Sequence, residues 1–394
     1  MKKATLAPLA PLALSLLAGA AHAQSNVMLY GVVDSAIEYV SNISATVPVI
    51  DPKTGVITRQ PGGNRFGLQT AGGMSSPRWG LRGEEDLGSG LKAQFVLESG
   101  FGIDDGKSQQ SGRLFGRQAF VGLQKDGVGT IMLGRQYSSL LDVMANFVPL
   151  ALSPLYESTP ALAGPQFRED NTVKYKGEFG GLVAEAHWSF GAGTATAVGV
   201  PLSGGGNGET PGHFRDNSAY GAGVSYSSGP FGIGLAYDQW NPAVTAGNAM
   251  AFKKAAVGAR YAIGPALLFA GYRWGQNKDA SGDVTLLRDD YYWIGGVYSA
   301  TPALKLTLAY YYDNLKTVRF GSALPATNLP NPWQATFVAD YNLSKRTDVY
   351  LTVAYSKNSG LNFGNSTDGF ASGYFLDAGS NHQVGAAVGM RHKF

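Results

Sequence analysis

The C-terminal segment, residues 384–394, alternates with a period of two that strongly limits what this chain can fold into. Valine, alanine, methionine, histidine and phenylalanine share one face, and glycine, alanine, arginine and lysine share the other. A period of two indicates an extended strand, and an apolar face backed by small or charged residues is typical of a strand between lipid and water. Phe394, on the apolar face, suits the headgroup region. We predict the closing strand of a transmembrane barrel; for this segment alone, the alternative is a half-buried strand of a soluble sandwich.

The N-terminus predicts an export signal. Two lysines precede a mostly apolar run, and the tripeptide Ala21-His22-Ala23 is a small-x-small cleavage site. An N-terminal membrane anchor is the alternative, but prolines interrupt the run, and no later stretch is long and apolar enough for a spanning helix. We therefore predict a signal peptide over 1–23 and a single barrel domain over 24–394.

The composition favours many short strands facing lipid. The chain has 54 glycines, 20 tyrosines and 19 phenylalanines, whereas charged residues make up only 15%. With the two signal lysines removed, 29 basic residues stand against 28 acidic ones, which argues against a general nucleic-acid binder. The chain has no cysteine, so an exported protein of this length needs another source of stability, and a closed hydrogen-bonded barrel provides one.

Segments of alternating polarity recur along the mature chain, joined by connections that are short and long in turn. Short turns on one rim and long loops on the other are typical of outer-membrane barrels. We therefore predict an all-β fold: a 16-stranded antiparallel transmembrane β-barrel with short periplasmic turns and long extracellular loops. The predicted strands lie near 27–40, 76–84, 90–99, 113–124, 128–135, 171–178, 181–190, 217–227, 231–239, 252–262, 266–275, 290–299, 304–312, 333–342, 347–356 and 383–394.

Seven motifs carry a family resemblance. They are LYGVVD (29–34), RWGLRGEEDLGSGLKAQF (78–95), FGRQAFVGL (115–123), TIMLGRQY (130–137), NTVKY (171–175), LSKRT (343–347) and VGAAVGMRHKF (384–394). With these motifs the chain resembles the general porins of Gram-negative bacteria, the trimeric sixteen-stranded type. RWGLRGEEDLG followed by GRQAFVGL is specific, whereas LYG or a terminal Phe alone is weak. The resemblance implies passive diffusion of small hydrophilic solutes, a third loop folded into the lumen, and an assembly signal at Phe394.

By that resemblance, the candidate constriction loop is the segment 136–170. Four prolines stiffen it. Family members often carry an acidic Pro-Glu-Phe-Gly-Gly-like stretch here, where this chain has SPLYES (153–158). Two acidic eyelet candidates therefore remain, Glu157 and Asp142, and Asp142 has the alternative role of a helix-start residue.

Charged side chains predicted to face the lumen form a candidate basic wall. Arg78 and Arg82 lie opposite apolar neighbours, so both should point into water, and the same alternation predicts an inward Lys174. Such charges create a transverse field that biases which ions enter. The alternative is that these arginines simply pair with nearby carboxylates such as Glu84 or Glu98.

The resemblance adds two further sets of residues. Arg117 and Arg168 are implied on the same basic wall. Arg135 is implied at the subunit interface, where it would meet the second extracellular loop of a neighbour. That loop supplies Asp104 and Asp105 as candidate partners.

The predicted function is a passive diffusion channel for ions and small hydrophilic solutes in the outer membrane of a Gram-negative bacterium. A substrate-specific channel for a sugar or an organic anion is the alternative. We expect no enzymatic activity, cofactor or metal site, since His187 beside Ser189 is the only local hint of catalysis and a pore-lining or girdle histidine explains it better. The predicted partners are a homotrimer, outer-membrane lipid and lipopolysaccharide, with no nucleic acid.

Overall fold

A computed structural model describes residues 26–193, 208–365 and 372–394. Sixteen long strands dominate this part of the chain, each with apolar and polar residues on opposite faces. The signal predicted over 1–23 lies outside the described residues. The strands are β1 (Asn26–Ser44), β2 (Arg78–Gly88), β3 (Leu91–Gly100), β4 (Gln118–Lys125), β5 (Gly129–Tyr137), β6 (Arg168–Phe179), β7 (Leu182–Ser189), β8 (Ala219–Ser228), β9 (Phe231–Trp240), β10 (Ala251–Ile263), β11 (Ala266–Lys278), β12 (Thr285–Ser299), β13 (Leu304–Val318), β14 (Trp333–Asn342), β15 (Thr347–Lys357) and β16 (His382–Lys393).

Consecutive strands pair antiparallel, and the sheet closes on itself. β1 pairs with β2 on one side and with β16 on the other, with Val32 opposite Lys393 and Val40 opposite Gly385. Closure leaves no open edge between the first and last strands, as a spanning sheet requires. The predicted 16-stranded antiparallel barrel is confirmed.

The two rims differ in the length of their connections. On one rim, seven turns of two to four residues join strand pairs such as β2–β3 and β10–β11. On the other rim, long connections carry the remaining secondary structure. Short turns mark the periplasmic rim and long loops the extracellular rim, so the predicted segregation of loop lengths is also confirmed.

The C-terminal strand shows why its two faces differ. Val388 and Met390 point outward and are more than half exposed, as lipid-facing side chains of an isolated barrel should be. On the inner face, a Cβ at Gly389 would lie 2.2 Å from the Tyr350 hydroxyl oxygen. Small residues on that face therefore make room for aromatic side chains from neighbouring strands.

The strands depart from the predicted bounds mainly at the ends near the long loops, where β12 begins at Thr285 and β13 ends at Val318. The predicted strand 113–124 begins only at Gln118 in β4. A further strand, Gly62–Leu68, falls within the predicted loop 41–75 and pairs with the outer half of β1. This strand continues the line of β2, but residues 69–77 interrupt the two. Because of this interruption, a search for simple alternation does not find the strand.

Smaller elements belong to the connections. Two short hairpins pair Val49–Ile50 with Ile57–Thr58 and Ala243–Thr245 with Asn248–Ala249. The helices are α1 (Ser139–Met144) and α2 (Thr159–Ala163), with a short helical turn at Gln109–Gly112 and a 3-10 turn at Leu361–Phe363. Within the described residues, no helix is long and apolar enough to cross a membrane.

The candidate constriction site

The connection between β5 and β6, residues 138–167, lies inside the barrel, and we call it the constriction loop. Its side chain Phe147 is buried, and only glycine leaves room for it at two positions of the wall, Gly234 and Gly258. The Trp293 indole of β12 donates a hydrogen bond to the Phe147 carbonyl at 2.8 Å. The predicted inward folding of the third loop is confirmed, and it is driven by burial of apolar side chains against β9–β12.

A buried polar cluster holds the start of α1. The Ser139 hydroxyl lies 2.8 Å from His187 Nδ1, and His187 Nε2 lies 2.9 Å from a Glu169 oxygen. Asp238 accepts the Leu140 amide at 3.0 Å. A serine, a histidine and a carboxylate in line resemble a hydrolytic triad, but Ser139 is fully buried and neither it nor His187 lines the cavity beside the loop. The cluster anchors the loop to β7 and β9.

The far end of the loop is tied to β1. The buried carboxylate of Glu38 accepts hydrogen bonds from the hydroxyls of Tyr156, at 2.7 Å, and Tyr374, at 2.9 Å. Arg65 forms an ion pair with the same carboxylate at 3.1 Å, and the Gln69 amide also donates to it. Burial next to Glu38 raises the pKa of Tyr156, so this hydroxyl stays a donor at physiological pH.

Glu157 is turned into the loop. Its carboxylate accepts the Leu150 amide at 3.1 Å, the Leu152 amide at 2.5 Å and the Tyr311 hydroxyl at 2.6 Å. The residue is only 3% exposed. Burial raises the pKa of Glu157, and these hydrogen bonds oppose the rise. Its contacts stabilise the loop conformation and join it to β13.

A cavity of about 690 Å³ lies between the constriction loop and the part of the wall formed by Gly62–Leu68, β2, β5 and β6. Its charged lining consists of four arginines, Arg65, Arg78, Arg117 and Arg168, and two acids, Asp142 and Glu157. The formal charge of the lining is therefore +2. A wet passage with this excess attracts anions.

Three of these arginines lie on adjoining parts of the wall, and we call Arg78, Arg117 and Arg168 the arginine wall. Arg117 Nε donates to Glu98 at 2.6 Å, and Arg78 Nε lies 3.5 Å from the other oxygen of Glu98. Arg117 also donates to the Tyr137 hydroxyl at 2.9 Å, while the Arg168 guanidinium lies 5.3 Å from the Tyr137 ring centre. One carboxylate thus serves two guanidiniums and fixes them without cancelling their charge.

Two predicted members of the basic wall lie elsewhere. Arg82 is exposed on β2, with its guanidinium over the Tyr30 ring and its Nη2 3.1 Å from the Met28 sulfur. Lys174 is only 1% exposed and is paired with Asp142 and, at 3.2 Å, with Glu185. Neither borders the cavity. Lys174 lies on the inner face of β6, where α1 covers it.

Asp142 lies both at the start of a helix and at the edge of the cavity, the two positions that the sequence left open for it. It lies in the first turn of α1, and its side chain, 37% exposed, also borders the cavity. Because its carboxylate is paired with Lys174, this acid is held in place facing the arginine wall.

Arg135 is engaged within its own chain. Its guanidinium donates to the Gly116 carbonyl at 2.8 Å and to Asp170 at 2.7 Å, and Asp170 also pairs with Arg113. Gly134 has φ 131°, and the register with β6 shifts there, which turns Arg135 away from the simple alternation. The interface role predicted for Arg135 stays a prediction.

The other predicted interface residues lie in the second extracellular loop. Asp104 accepts the Thr70 hydroxyl at 2.7 Å, and Asp105 pairs with Lys107 at 3.1 Å. Both contacts lie within one chain. The role of the two aspartates between subunits stays a prediction.

Phe394 lies at the barrel seam. Its backbone exchanges two hydrogen bonds of 3.1 Å with Gly31 of β1, and its ring covers Gly31 so closely that a Cβ there would lie 2.3 Å from the ring. The terminal residue thus closes the ladder between the first and last strands. Its role as an assembly signal stays a prediction.

Sequence reasoning missed several residues that hold the site. Glu38 and Arg65 belong to β1 and the hidden strand Gly62–Leu68, and Tyr156 belongs to the loop. The alternation of Asp34, Ala36 and Glu38 could have placed Glu38 in the lumen. No local pattern indicates that Tyr156 reaches it from more than a hundred residues away.

Comparisons with known proteins agree with this geometry. The Gram-negative porin family matches residues 9–361. An outer membrane porin protein of Bordetella pertussis is 31% identical over 96% of each chain, and outer membrane porin protein 32 of Delftia acidovorans is 32% identical over the full length of both. An anion-selective porin from Comamonas acidovorans has a TM-score of 0.70 at 27% identity and covers 94% of this chain and 100% of its own. The chain therefore belongs to the Gram-negative porin family and forms a channel in the outer membrane.

Proposed function

We propose that the constriction of this passive diffusion channel favours small anions over cations. The observation that carries the proposal is the +2 formal charge of the cavity lining, with four arginines against two acids. Glu157 adds little to the field in the passage, because its carboxylate is buried in the loop. The similar structure from Comamonas acidovorans is itself named anion-selective, which supports the proposal.

The proposed selectivity acts through an electric field and needs no dedicated binding pocket. Arg78 and Arg117 share Glu98, so their guanidiniums are positioned while an excess positive charge remains. Guanidiniums keep their charge at every physiological pH. An anion entering the passage gains from this field along the whole arginine wall, whereas a cation is repelled before the narrowest point.

A liposome-swelling series with solutes of matched size tests the proposal. We expect monocarboxylates to enter faster than neutral sugars of the same size, and neutral sugars faster than ammonium compounds. Equal swelling rates for the three charge classes at low ionic strength would contradict the anion preference. Such a channel would select solutes by size alone.

We also propose that the protein assembles as a homotrimer and contacts outer-membrane lipid and lipopolysaccharide. Exposed apolar side chains support an outer surface that is covered in the membrane: Ile37 on β1, and Phe66 and Leu68 on the adjoining strand Gly62–Leu68. Native mass spectrometry from mild detergent should give a mass three times that of one chain. A monomer under conditions in which the barrel remains folded would contradict the trimer.

A further inference from the structure

The outer surface of β10–β13 is organised in layers that follow the strand register. An apolar row nearer the short-turn rim contains Leu268 and Leu308, both about half exposed or more, with Gly296 between them. Next comes an aromatic row. Its members, Tyr272, Tyr292 and Tyr312, pair directly across β11–β13, and Val257 of β10 pairs with Tyr272 at the end of the row. An apolar band followed by aromatic side chains indicates the edge of the hydrocarbon region.

A basic row lies beyond the aromatic row, towards the long loops. Lys253 pairs across the ladder with Gln276, and Gln276 pairs with Arg288, so the two cations share a face. Strand spacing places their Cα atoms about 10 Å apart. Lys316 lies beside Arg288, at the register shift between β12 and β13. This row is four residues beyond the tyrosines, or about 13 Å along the strands.

Asp290 organises two of these cations. Arg288 Nη1 lies 2.8 Å and Lys316 Nζ lies 3.6 Å from its carboxylate oxygens, and the Tyr272 hydroxyl donates to it at 2.8 Å. The Arg288 guanidinium also lies 5.2 Å from the Trp274 ring centre. Lys253, Arg288 and Lys316 against one carboxylate leave a formal excess of +2. We call these three cations the outer basic cluster.

The cluster plays no part in the pore. Its side chains point away from the lumen, because the alternate residues Lys254, Arg273 and Asp289 are the buried ones on the same strands. A preorganised pair of cations above an aromatic row suits a doubly charged oxyanion at the membrane surface. Lys278 lies two residues beyond Gln276, towards the long loops, beside a turn that contains Asp279 and Asp283. We therefore leave it out of the +2 charge of the cluster.

We propose that the outer basic cluster binds a phosphate group of lipid A, the lipid anchor of lipopolysaccharide in the outer leaflet. The acyl chains would then cover the apolar row and the sugar would lie over the tyrosines. The position on the outer wall favours a lipid phosphate over a free one, since the cluster lies about 13 Å along the strands beyond the aromatic row, at the level of the outer-leaflet headgroups. This inference deepens the proposed lipopolysaccharide contact by naming its site.

The test measures binding of bisphosphorylated lipid A to the detergent-solubilised channel by native mass spectrometry. Arg288→Gln/Lys316→Gln should weaken binding about tenfold or more, since charge-assisted contacts to phosphate are lost. Lys253→Gln, which leaves both ion pairs to Asp290 intact, should weaken it less but measurably. The matched control Lys345→Gln/Arg346→Gln removes two exposed cations from a periplasmic turn and should bind as the parent does.

Two further arms distinguish the sources of phosphate. Lipid A stripped of its phosphates should bind weakly and equally to parent and variants. Full displacement of lipid A by inorganic phosphate would identify a free-anion site and overturn the lipid assignment. Unchanged binding by both cluster variants, with normal heat-modifiable gel mobility, would also overturn it. Conductance and ion selectivity should not change in any variant, so failure here leaves the proposed anion preference standing.

Discussion

The two sides of the barrel interior are built from different chemistry. On β9–β14, the constriction loop packs dry against glycines and aromatic side chains, with Trp293 and Tyr311 donating hydrogen bonds to it. We call this side the docking wall. On β2–β6, the arginine wall faces an open cavity, and one carboxylate, Glu98, is shared by two of its members, Arg78 and Arg117. Because apolar burial fixes the loop on one side, the other side can keep an excess of positive charge at the edge of the cavity.

The docking wall therefore contributes mainly to stability, and the arginine wall mainly to ion selectivity. Changes on the docking wall should alter how firmly the loop is held, and therefore the width of the passage. A charge change at Arg78, which is partly exposed, should alter which ions pass and leave the fold intact, whereas Arg117 and its partner Glu98 are buried.

The largest effect is expected from Phe147→Ala. The change empties a buried site against Gly234 and Gly258, which costs about 3–5 kcal/mol of packing free energy. The loop should loosen, so single-channel conductance should rise and its noise increase. Phe179→Ala, at an exposed outer position, is the matched control and should conduct as the parent does. Equal conductance of Phe147→Ala and the parent would show that this packing does not hold the loop.

A moderate effect of pH is expected through Glu157. Because burial raises its pKa above the ordinary value, its contribution to docking is complete below about pH 4 and is lost as the pH rises through the raised pKa. The thermal midpoint of the folded channel should therefore fall with rising pH. Glu157→Gln keeps an acceptor for Tyr311 but cannot titrate, so its midpoint should vary less with pH.

Glu178→Gln is the control for that experiment, since Glu178 is exposed at the end of β6 and pairs with Lys176. It should keep the pH dependence of the parent. Identical pH profiles for Glu157→Gln and the parent would show that the buried carboxylate does not couple docking to pH.

A smaller effect, confined to selectivity, separates Arg78 from Arg82. Arg78 borders the cavity and Arg82 does not. Four residues separate them, about 13 Å along the strand, which exceeds the screening length of about 10 Å at 0.1 M salt. Arg78→Glu should therefore shift the zero-current potential towards cation preference several times more than Arg82→Glu. Equal shifts of the potential for the two variants would show that the narrowest point of the pore does not lie at this cavity.

Much of the fold could be predicted from the sequence because its determinants are local. Alternation along β16 gives the inward and outward faces without knowledge of any neighbour, and Gly-Pro or Asn-containing turns mark the short rim. The same reasoning turned Arg78 inward; in the structure Arg78 borders the cavity and pairs with Glu98, and its role in the pore stays a prediction. The hidden strand Gly62–Leu68 escaped because a nine-residue interruption separates it from β2.

The site was less predictable because it depends on contacts between distant segments. Alternation turns Lys174 inward but cannot show that α1 covers it. Glu157 belongs to an irregular loop, where no alternation of inward and outward residues predicts the direction of a side chain. Its carboxylate points to the Tyr311 hydroxyl, which comes from a distant strand. Arg135 departs from the parity of its strand because the register shifts at Gly134. Each of these positions depends on long-range packing that no short motif records.

The zero-current potential of the parent channel across a salt gradient tests the central claim most directly. With potassium chloride, whose two ions move almost equally fast in water, the sign of the potential reports the selectivity of the constriction alone. The arginine wall predicts chloride preference at low salt, which shrinks as screening shortens the field. A potential that favours potassium at low salt, in a fully folded channel, would contradict the account.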